Sequence, residues 1–194
     1  MKSHPYLTAF FILALGHGLH AQNFDFRNTK WGMDTTLVKK SEKSKPAFSK
    51  KNNLVFNVKL GELDSRVVYD FNSSDQLYRA SYIITSGNAI SKNPVYYVNN
   101  FLMLQELLTQ KYKQPYTISS STINGKIVKQ EEWAANLISD NLTLETRWKT
   151  DKTDITLMLF SINDELCLEI IYNSIESAVK EHNEANKLQM IKDL

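Results

Sequence analysis

The sequence predicts an α+β fold, in which helices pack on one face of an antiparallel sheet. Two observations lead to this fold class. Several segments alternate apolar and polar residues and are joined by short polar turns, which is typical of hairpins with one buried face. One long segment, residues 95–112, instead carries apolar residues at helical spacing, which predicts an amphipathic helix over the buried face.

The first 21 residues predict export. A single basic residue, Lys2, precedes an apolar run over residues 6–15, and small and polar residues follow up to Ala21. This three-part pattern is that of a cleavable signal peptide covering residues 1–21. A membrane anchor is the alternative, but the apolar run is shorter than the ~20 residues that a spanning helix needs. We therefore expect residues 22–194 to form a single domain, periplasmic or extracellular, without a membrane span.

The composition of the exported part restricts the chemistry that one chain can perform. Only one histidine, His182, and one cysteine, Cys167, remain after residue 21. A zinc or copper site with several histidine or cysteine ligands cannot be built from them, nor can a disulfide within the chain. Without Lys2, the 23 basic residues become 22, against 21 acidic residues, so neither nucleic acid nor an anionic membrane is indicated as a partner. We predict no metal site and no cofactor.

The first predicted element after the signal is a short helix. Trp31 and Gly32 precede it, Asp34 or Thr35 can cap it, and Pro46 prevents its continuation. We interpret the Trp31-Gly32 pair as the first fixed point of the fold, because it offers a large ring to bury and a glycine at which the chain can turn.

Three strands are predicted in the first half of the chain. Residues 54–60 alternate in polarity, and the segments SRVVYDF and QLYRASYIIT flank the turn sequence NSSD. If Phe71 pairs with Gln76 across this turn, seven residues share the inner face of the sheet. They are Val67, Tyr69, Phe71, Tyr78, Ala80, Tyr82 and Ile84.

The second half is predicted to form two helices and then three strands. Asn93 and Pro94 favour the start of a helix that runs to about Tyr112, and a short helix is predicted around residues 131–138. The strands are the segments LTLETRWK, DITLMLFSI and ELCLEIIYN. Their predicted inner wall consists of Leu142, Leu144, Trp148, Ile155, Leu157, Leu159, Leu166, Leu168 and Ile170. A polar helix is predicted over residues 175–192.

The two halves suggest a pair of pseudo-repeats. Residues 24–90 and 91–174 are each predicted to form a helix followed by three strands, and FNSSDQL in the first half matches FSINDEL in the second. Turns of this kind fix strand register. The predicted inward position of Phe71 and outward position of Phe160 do not match, however, so a single unrepeated domain stays open as the alternative.

Four segments of the chain carry a resemblance to known proteins: FRNTKWGMDTTLVKKSE, VVYDFNSSDQLYRASYI, WKTDKTDITLML and LEIIYNS. Together they resemble a group of uncharacterised exported bacterial proteins of the Bacteroidetes type, which share the Trp-Gly-Met helix start, the hairpin and a tryptophan-containing end of three strands. The arrangement of helices over antiparallel strands is also similar to the beta-lactamase-inhibitor protein and to BamE-like domains of outer-membrane assembly. This second resemblance implies an architecture and no functional residue.

The predicted binding site lies on the sheet face opposite the inner wall. Pairing of the last strands puts four apolar or weakly polar side chains on that face, where polar residues are expected. They are Met158, Phe160, Cys167 and Ile171. A contiguous exposed patch of this kind indicates contact with a partner, which we expect to be another envelope or extracellular protein. The alternative is that the C-terminal helix, or part of residues 116–140, covers the patch.

The sequence contains no catalytic motif. It has no Gly-x-Ser-x-Gly elbow, no phosphate-binding glycine loop and no His-Glu-x-x-His pattern. Its acidic pairs fall at turns or at a helix start, where acidic side chains are favoured because they bond to backbone N–H groups or interact with the helix dipole. These pairs are Glu62/Asp64, Glu131/Glu132, Asp151/Asp154 and Asp164/Glu165. We therefore predict no catalytic residue.

The function predicted from these observations is that of a secreted or periplasmic, non-enzymatic binding or accessory domain. Two alternatives stay open. One is an envelope hydrolase with a carboxylate-based site, which needs a pocket where at least two polar groups converge. The other is a carrier of a small lipid, which needs a cavity between the helix over residues 97–108 and the inner strands.

Overall fold

The chain forms an eight-stranded antiparallel sheet with helices on one face in the computed structural model, which describes residues 24–50, 52–85, 93–122, 125–163, 165–177 and 180. The strands are β1 Phe48–Lys50, β2 Asn53–Leu60, β3 Leu63–Phe71, β4 Leu77–Thr85, β5 Thr117–Thr122, β6 Leu142–Lys149, β7 Thr153–Ile162 and β8 Glu165–Ser174. The helices are α1 Thr35–Ser41, α2 Pro94–Tyr112 and α3 Trp133–Ile138, and a 3₁₀ turn at Gln130–Glu132 precedes α3. The predicted fold class is confirmed.

The strands follow the order β1-β2-β3-β4-β8-β7-β6-β5 across the sheet. Each half of the chain therefore forms its own run of neighbouring strands, and the last strands of the two halves, β4 and β8, pair at the centre. Each half adds a short edge strand, β1 or β5, to the three strands predicted for it. A common origin of the two halves as repeats stays a prediction.

Helix starts occur where the capping residues predict them. The Asp34 carboxylate accepts a hydrogen bond from the Leu37 backbone N–H at 2.8 Å, which satisfies a free donor of the first turn of α1. Asn93 caps α2 in the same way through the Val95 N–H, and Pro94 occupies the first turn. The predicted helices around α1, α2 and α3 are confirmed.

The core lies between the helices and one face of the sheet, which we call the inner face. All nine residues of the predicted inner wall of the second half are buried. Helix α2 packs its apolar stripe against this wall, and the Gln105 amide donates a hydrogen bond of 2.9 Å to the Thr146 hydroxyl on β6. The stripe consists of Tyr97, Val98, Phe101, Leu104 and Leu108.

The hairpin between β3 and β4 corrects the predicted register. Phe71 pairs with Leu77 rather than Gln76, and Asp70 pairs with Arg79, so Tyr78 is the extra residue of a β-bulge. The loop closes one residue later than predicted, because the Asn72 side chain accepts hydrogen bonds from two backbone N–H groups inside it. The inner position predicted for Tyr78 is therefore wrong, and its side chain lines the opposite face of the sheet.

Several predictions concern residues outside the described part of the chain. They are the signal peptide at residues 1–21, His182 with most of the helix predicted over residues 175–192, and Asp164. Of that helix, the described residues 175–177 are helical. Among the described residues, no helix has the length and apolar character needed to cross a lipid bilayer.

Candidate functional site

The four residues predicted to form a binding site lie together on the sheet face opposite the helices, which we call the outer face. Phe160 pairs directly with Cys167 across β7 and β8, and Thr156 pairs with Ile171 in the same ladder. Met158 lies between these two pairs on β7. All four side chains are half-buried. They lie around Glu169, which pairs with Met158 between Cys167 and Ile171, and we call this group of four the outer strip.

Ion pairs lie within and beside the outer strip, because Glu169 stands between Cys167 and Ile171. On one side, the Arg79 guanidinium lies 3.6 Å from a Glu169 oxygen and 3.8 Å from an Asp70 oxygen. On the other side, the Arg147 Nε lies 2.8 Å from a Glu145 oxygen. Protein-binding surfaces combine apolar and charged side chains, and the outer strip has both.

The described helices do not cover the outer strip. Helix α3 packs beside α2, and its Leu137 is part of the core on the inner face. Strand β5 extends the sheet at its edge by pairing with β6. The described part of residues 116–140 therefore leaves the outer strip open. The other predicted cover, the C-terminal helix, lies outside the described residues apart from its first turn.

The Cys167 thiol is poorly reactive as a nucleophile. Its partial burial, and then the neighbouring Glu169 carboxylate, raise the pKa of the thiol to about 12. Because the thiolate is the reactive form of cysteine, a thiol with so high a pKa is a poor nucleophile at neutral pH. Cys167 therefore contributes apolar surface to the outer strip rather than chemistry.

We expect Cys167 to react with iodoacetamide at pH 8 about a thousandfold more slowly than in the unfolded chain, where cysteine has a pKa of about 8.5. The rate should rise about tenfold per pH unit up to pH 10 and beyond. Mass spectrometry of samples taken with time gives the rate, and the chain unfolded in urea is the control. A rate that levels off near pH 9 would show that the thiol has an ordinary pKa.

A second feature, which the sequence did not predict, is an open cleft at one end of the inner face. Its volume is about 420 Å³. Five aromatic residues line it, and we call it the tyrosine cleft: Phe24, Phe26, Tyr82, Tyr112 and Tyr172. The Phe26 ring centroid lies 4.8 Å from that of Tyr172 and 5.3 Å from that of Tyr82. Because these rings come from an N-terminal turn, β4, α2 and β8, no local spacing in the sequence could have grouped them.

A buried ionic network supports one wall of the tyrosine cleft. The Arg27 guanidinium donates two hydrogen bonds to the Glu42 carboxylate, at 2.8 and 3.1 Å, and a third to the Tyr82 hydroxyl at 3.1 Å. The Tyr69 hydroxyl also donates to Glu42, whose side chain is only 4% exposed. Burial lowers the pKa of Arg27, but the hydrogen bonds to Glu42 and Tyr82 outweigh it, so the net pKa is raised. Arg27 therefore stays charged and fixed.

Tyr69 in the network and Tyr172 in the cleft stay protonated at neutral pH. Burial, and then its hydrogen bond to Glu42, raise the pKa of Tyr69 well above its usual range. Burial also raises the pKa of Tyr172, and the adjacent Tyr112 phenol raises it further. A neutral phenol can donate a hydrogen bond, so these groups are donors rather than anions.

The Trp31-Gly32 pair joins three parts of the fold beside the cleft. The Trp31 indole N–H donates to the Thr153 hydroxyl on β7 at 2.9 Å, and its backbone N–H donates to the Asp25 carboxylate at 2.9 Å. Gly32 has φ +84, a left-handed conformation that favours glycine, and its N–H donates to the Leu77 carbonyl on β4. These contacts support the interpretation of the pair as an anchor.

Replacing Trp31 with alanine should lower the free energy of unfolding by about 3 kcal/mol, because the variant loses packing of a half-buried ring and the bond to Thr153. Trp31→Phe, which keeps a ring but not the indole N–H, should lose about 1 kcal/mol. Urea denaturation gives both values. An alanine variant of unchanged stability that no longer binds a partner would make Trp31 a binding residue instead of an anchor.

The predicted acidic pairs do not assemble into a metal site in the described part of the chain. No group of three histidine, cysteine, aspartate or glutamate side chains lies close enough there to hold a metal ion. Asp154 accepts a hydrogen bond from the Tyr116 hydroxyl at 3.0 Å, and Asp151 lines the tyrosine cleft.

Comparison of the chain with models of known protein families, and with curated protein sequences, finds no match. The resemblances stated above therefore stay predictions.

Proposed function

We propose that this protein is an exported, non-enzymatic binding or accessory domain, which contacts another envelope or extracellular protein through the outer strip. The observation that carries the proposal is the adjacency of Met158, Phe160, Cys167 and Ile171 on a sheet face that no described helix covers. The strip combines apolar surface with bordering ion pairs, and both are ordinary components of protein interfaces.

The shape of the outer face favours a protein partner over a small molecule. Small ligands are bound in concave sites that bury most of their surface. Met158 and Ile171 line an open hollow of about 400 Å³, but Phe160 and Cys167 lie beside it on paired strands, where a partner of comparable size can contact them. The Arg79 and Arg147 ion pairs at its rim can set the orientation of the partner, because charged rims contribute mainly to specificity.

The hydrolase alternative finds limited support in the tyrosine cleft. Two carboxylates line it, Asp25 and Asp151. Asp25 accepts the hydrogen bond of the Trp31 backbone N–H, which gives it a structural role. A hydrolase of this type needs a second free carboxylate opposite Asp151. Hydrolysis of an envelope polymer that is abolished in Asp151→Asn would favour this alternative.

The lipid-carrier alternative needs a cavity between α2 and the inner strands. The middle of α2 is packed there, since Tyr97, Phe101 and Leu104 are all buried in the core. A lipid would therefore have to enter the tyrosine cleft, which lies at the C-terminal end of α2 beside Tyr112.

Affinity capture from the envelope of the source cells tests the proposal. We expect Phe160→Asp to lose a partner that the unchanged protein retains, because a charge in the centre of an apolar interface is costly. The matched control is Leu107→Asp, which places the same charge at an exposed position of α2 on the other side of the sheet. Thermal melting of both variants verifies that they fold. Identical partners for Phe160→Asp and the unchanged protein would contradict the proposal.

A further inference from the structure

The tyrosine cleft combines a ligand-sized volume, aromatic walls and two lysines without a described salt bridge. Its volume of about 420 Å³ falls within the ~300–1,000 Å³ of small-molecule sites. It lies on the inner side of the sheet, away from the outer strip, so a ligand here would act independently of the proposed protein partner. We propose that the tyrosine cleft binds a small organic anion that carries an aromatic ring.

The walls of the cleft favour a flat ring as the body of the ligand. The rings of Phe26 and Tyr172 are buried at the base of the cleft. Those of Tyr82 and Tyr112 are half-buried, so part of each ring can contact a ligand. The rings of Tyr112 and Tyr172 meet at 65°, with centroids 6.5 Å apart. Aromatic rings prefer tilted or offset contacts of this kind, and an aromatic ligand can add one more ring to the cluster.

Two lysines that line the cleft, Lys111 and Lys152, can bind an anion. The charge of Arg27 is neutralised by Glu42, so the lysines are the cations that remain for a ligand. Asp25 and Asp151 also line the cleft, and Asp25 is held in place by the Trp31 N–H. Neither lysine forms a salt bridge within the described residues. The Lys111 ammonium lies 4.9 Å from the centroid of the Tyr112 ring, a contact that leaves its N–H groups able to donate to a carboxylate in the cleft.

A hydrogen-bond donor lies beside these lysines, because the bond between Tyr112 and Tyr172 uses only one of their two phenol O–H groups. The phenols of Tyr112 and Tyr172 interact with each other, and burial and the neighbouring phenol keep the pKa of Tyr172 well above its usual range. A protonated phenol donates to a carboxylate, and such charge-assisted bonds are about twice as strong as neutral ones. The remaining phenol donor and the two lysines thus favour the same ligand group, a carboxylate.

The cleft is formed before any ligand binds. Arg27 is held by Glu42 and Tyr82, and the turn that presents Phe26 is closed by the Thr29 hydroxyl, which donates to the Phe26 carbonyl at 2.7 Å. Because these groups are already ordered, a ligand need not order them, and less of its binding free energy is lost.

Calorimetric titration of the purified protein with 2-naphthoate tests the proposal. The neutral analogue 2-naphthamide has the same ring and no charge, and decanoate has the same charge and no ring. We expect 2-naphthoate to bind at least about tenfold more tightly than either analogue, a factor that corresponds to about 1.4 kcal/mol. Lack of binding by 2-naphthoate, or equal binding of naphthoate and naphthamide, would overturn the proposal. Tighter binding of decanoate would also overturn it and would support a lipid carrier.

Two sets of variants locate the binding site. The double variant Lys111→Gln/Lys152→Gln should bind 2-naphthoate about tenfold more weakly. Its affinity for naphthamide should not change, because only the carboxylate contacts these charges. Tyr112→Leu should weaken both compounds. The matched control is Lys39→Gln with Lys40→Gln, two exposed lysines of α1. An equal effect of the two lysine pairs would place 2-naphthoate outside the cleft and overturn the assignment.

Discussion

Replacing Glu42 with glutamine is expected to lower the free energy of unfolding by about 3 kcal/mol, because removal of one partner of a buried ion pair costs about 3–5 kcal/mol. The Glu42 side chain is 4% exposed, and its carboxylate accepts hydrogen bonds from both Arg27 and Tyr69. Glutamine leaves the guanidinium without its counter-charge. The lower end of the range applies because the Arg27 side chain is still 26% exposed.

A double-mutant cycle isolates this interaction. The double variant Arg27→Met/Glu42→Leu should lose less unfolding free energy than the two single variants lose together, by at least about 1 kcal/mol. The reason is that the double variant leaves no unpaired charge in the core. The control is Glu131→Gln, an exposed residue of the 3₁₀ turn, which should change stability by less than about 0.5 kcal/mol. Additive effects in the cycle would mean that the network does not couple the two residues.

The second large effect is expected at Trp148. This side chain is 0% exposed and is among the largest fully buried ones in the described core. Trp148→Ala should lower the free energy of unfolding by about 3–5 kcal/mol, since large-to-small changes in a core lose both packing and transfer free energy. Urea denaturation with a constant m-value would assign the loss to stability alone.

Trp148→Phe provides a sharper test of the same site. The buried indole N–H has no hydrogen-bond partner among the described residues, so phenylalanine removes no bond there. We expect a loss of only about 1 kcal/mol, from the smaller ring. A loss as large as that of the alanine variant would show that the indole N–H has a partner that matters for stability.

The sequence predicts the sheet well because most strands have one buried face. In β6, for example, the alternation of Leu142, Leu144 and Trp148 with polar residues specifies which side chains point inward, and all three are buried. The short edge strands were not predicted. The TISSST sequence of β5 lacks apolar alternation, because both of its faces are largely exposed.

The error at Tyr78 has a different origin. The sequence pattern shows that side chains alternate between the two faces of each strand, but the turn decides which residues pair. Here the Asn72 side chain closes the loop, and a β-bulge follows. The outer strip could still be predicted, because Phe160 and Cys167 lie on strands without such a bulge. The tyrosine cleft could not, since its rings meet only through the tertiary fold.

Photo-cross-linking at the outer strip is the most direct test of the central claim, that this face binds another protein. A benzophenone amino acid replaces Phe160 in one variant and Leu107 in the other, and both variants are irradiated in the source cells. We predict a cross-link to one specific protein from position 160 and none from position 107. Cross-links from position 160 only to residues of the same chain, or none at all, would contradict the account.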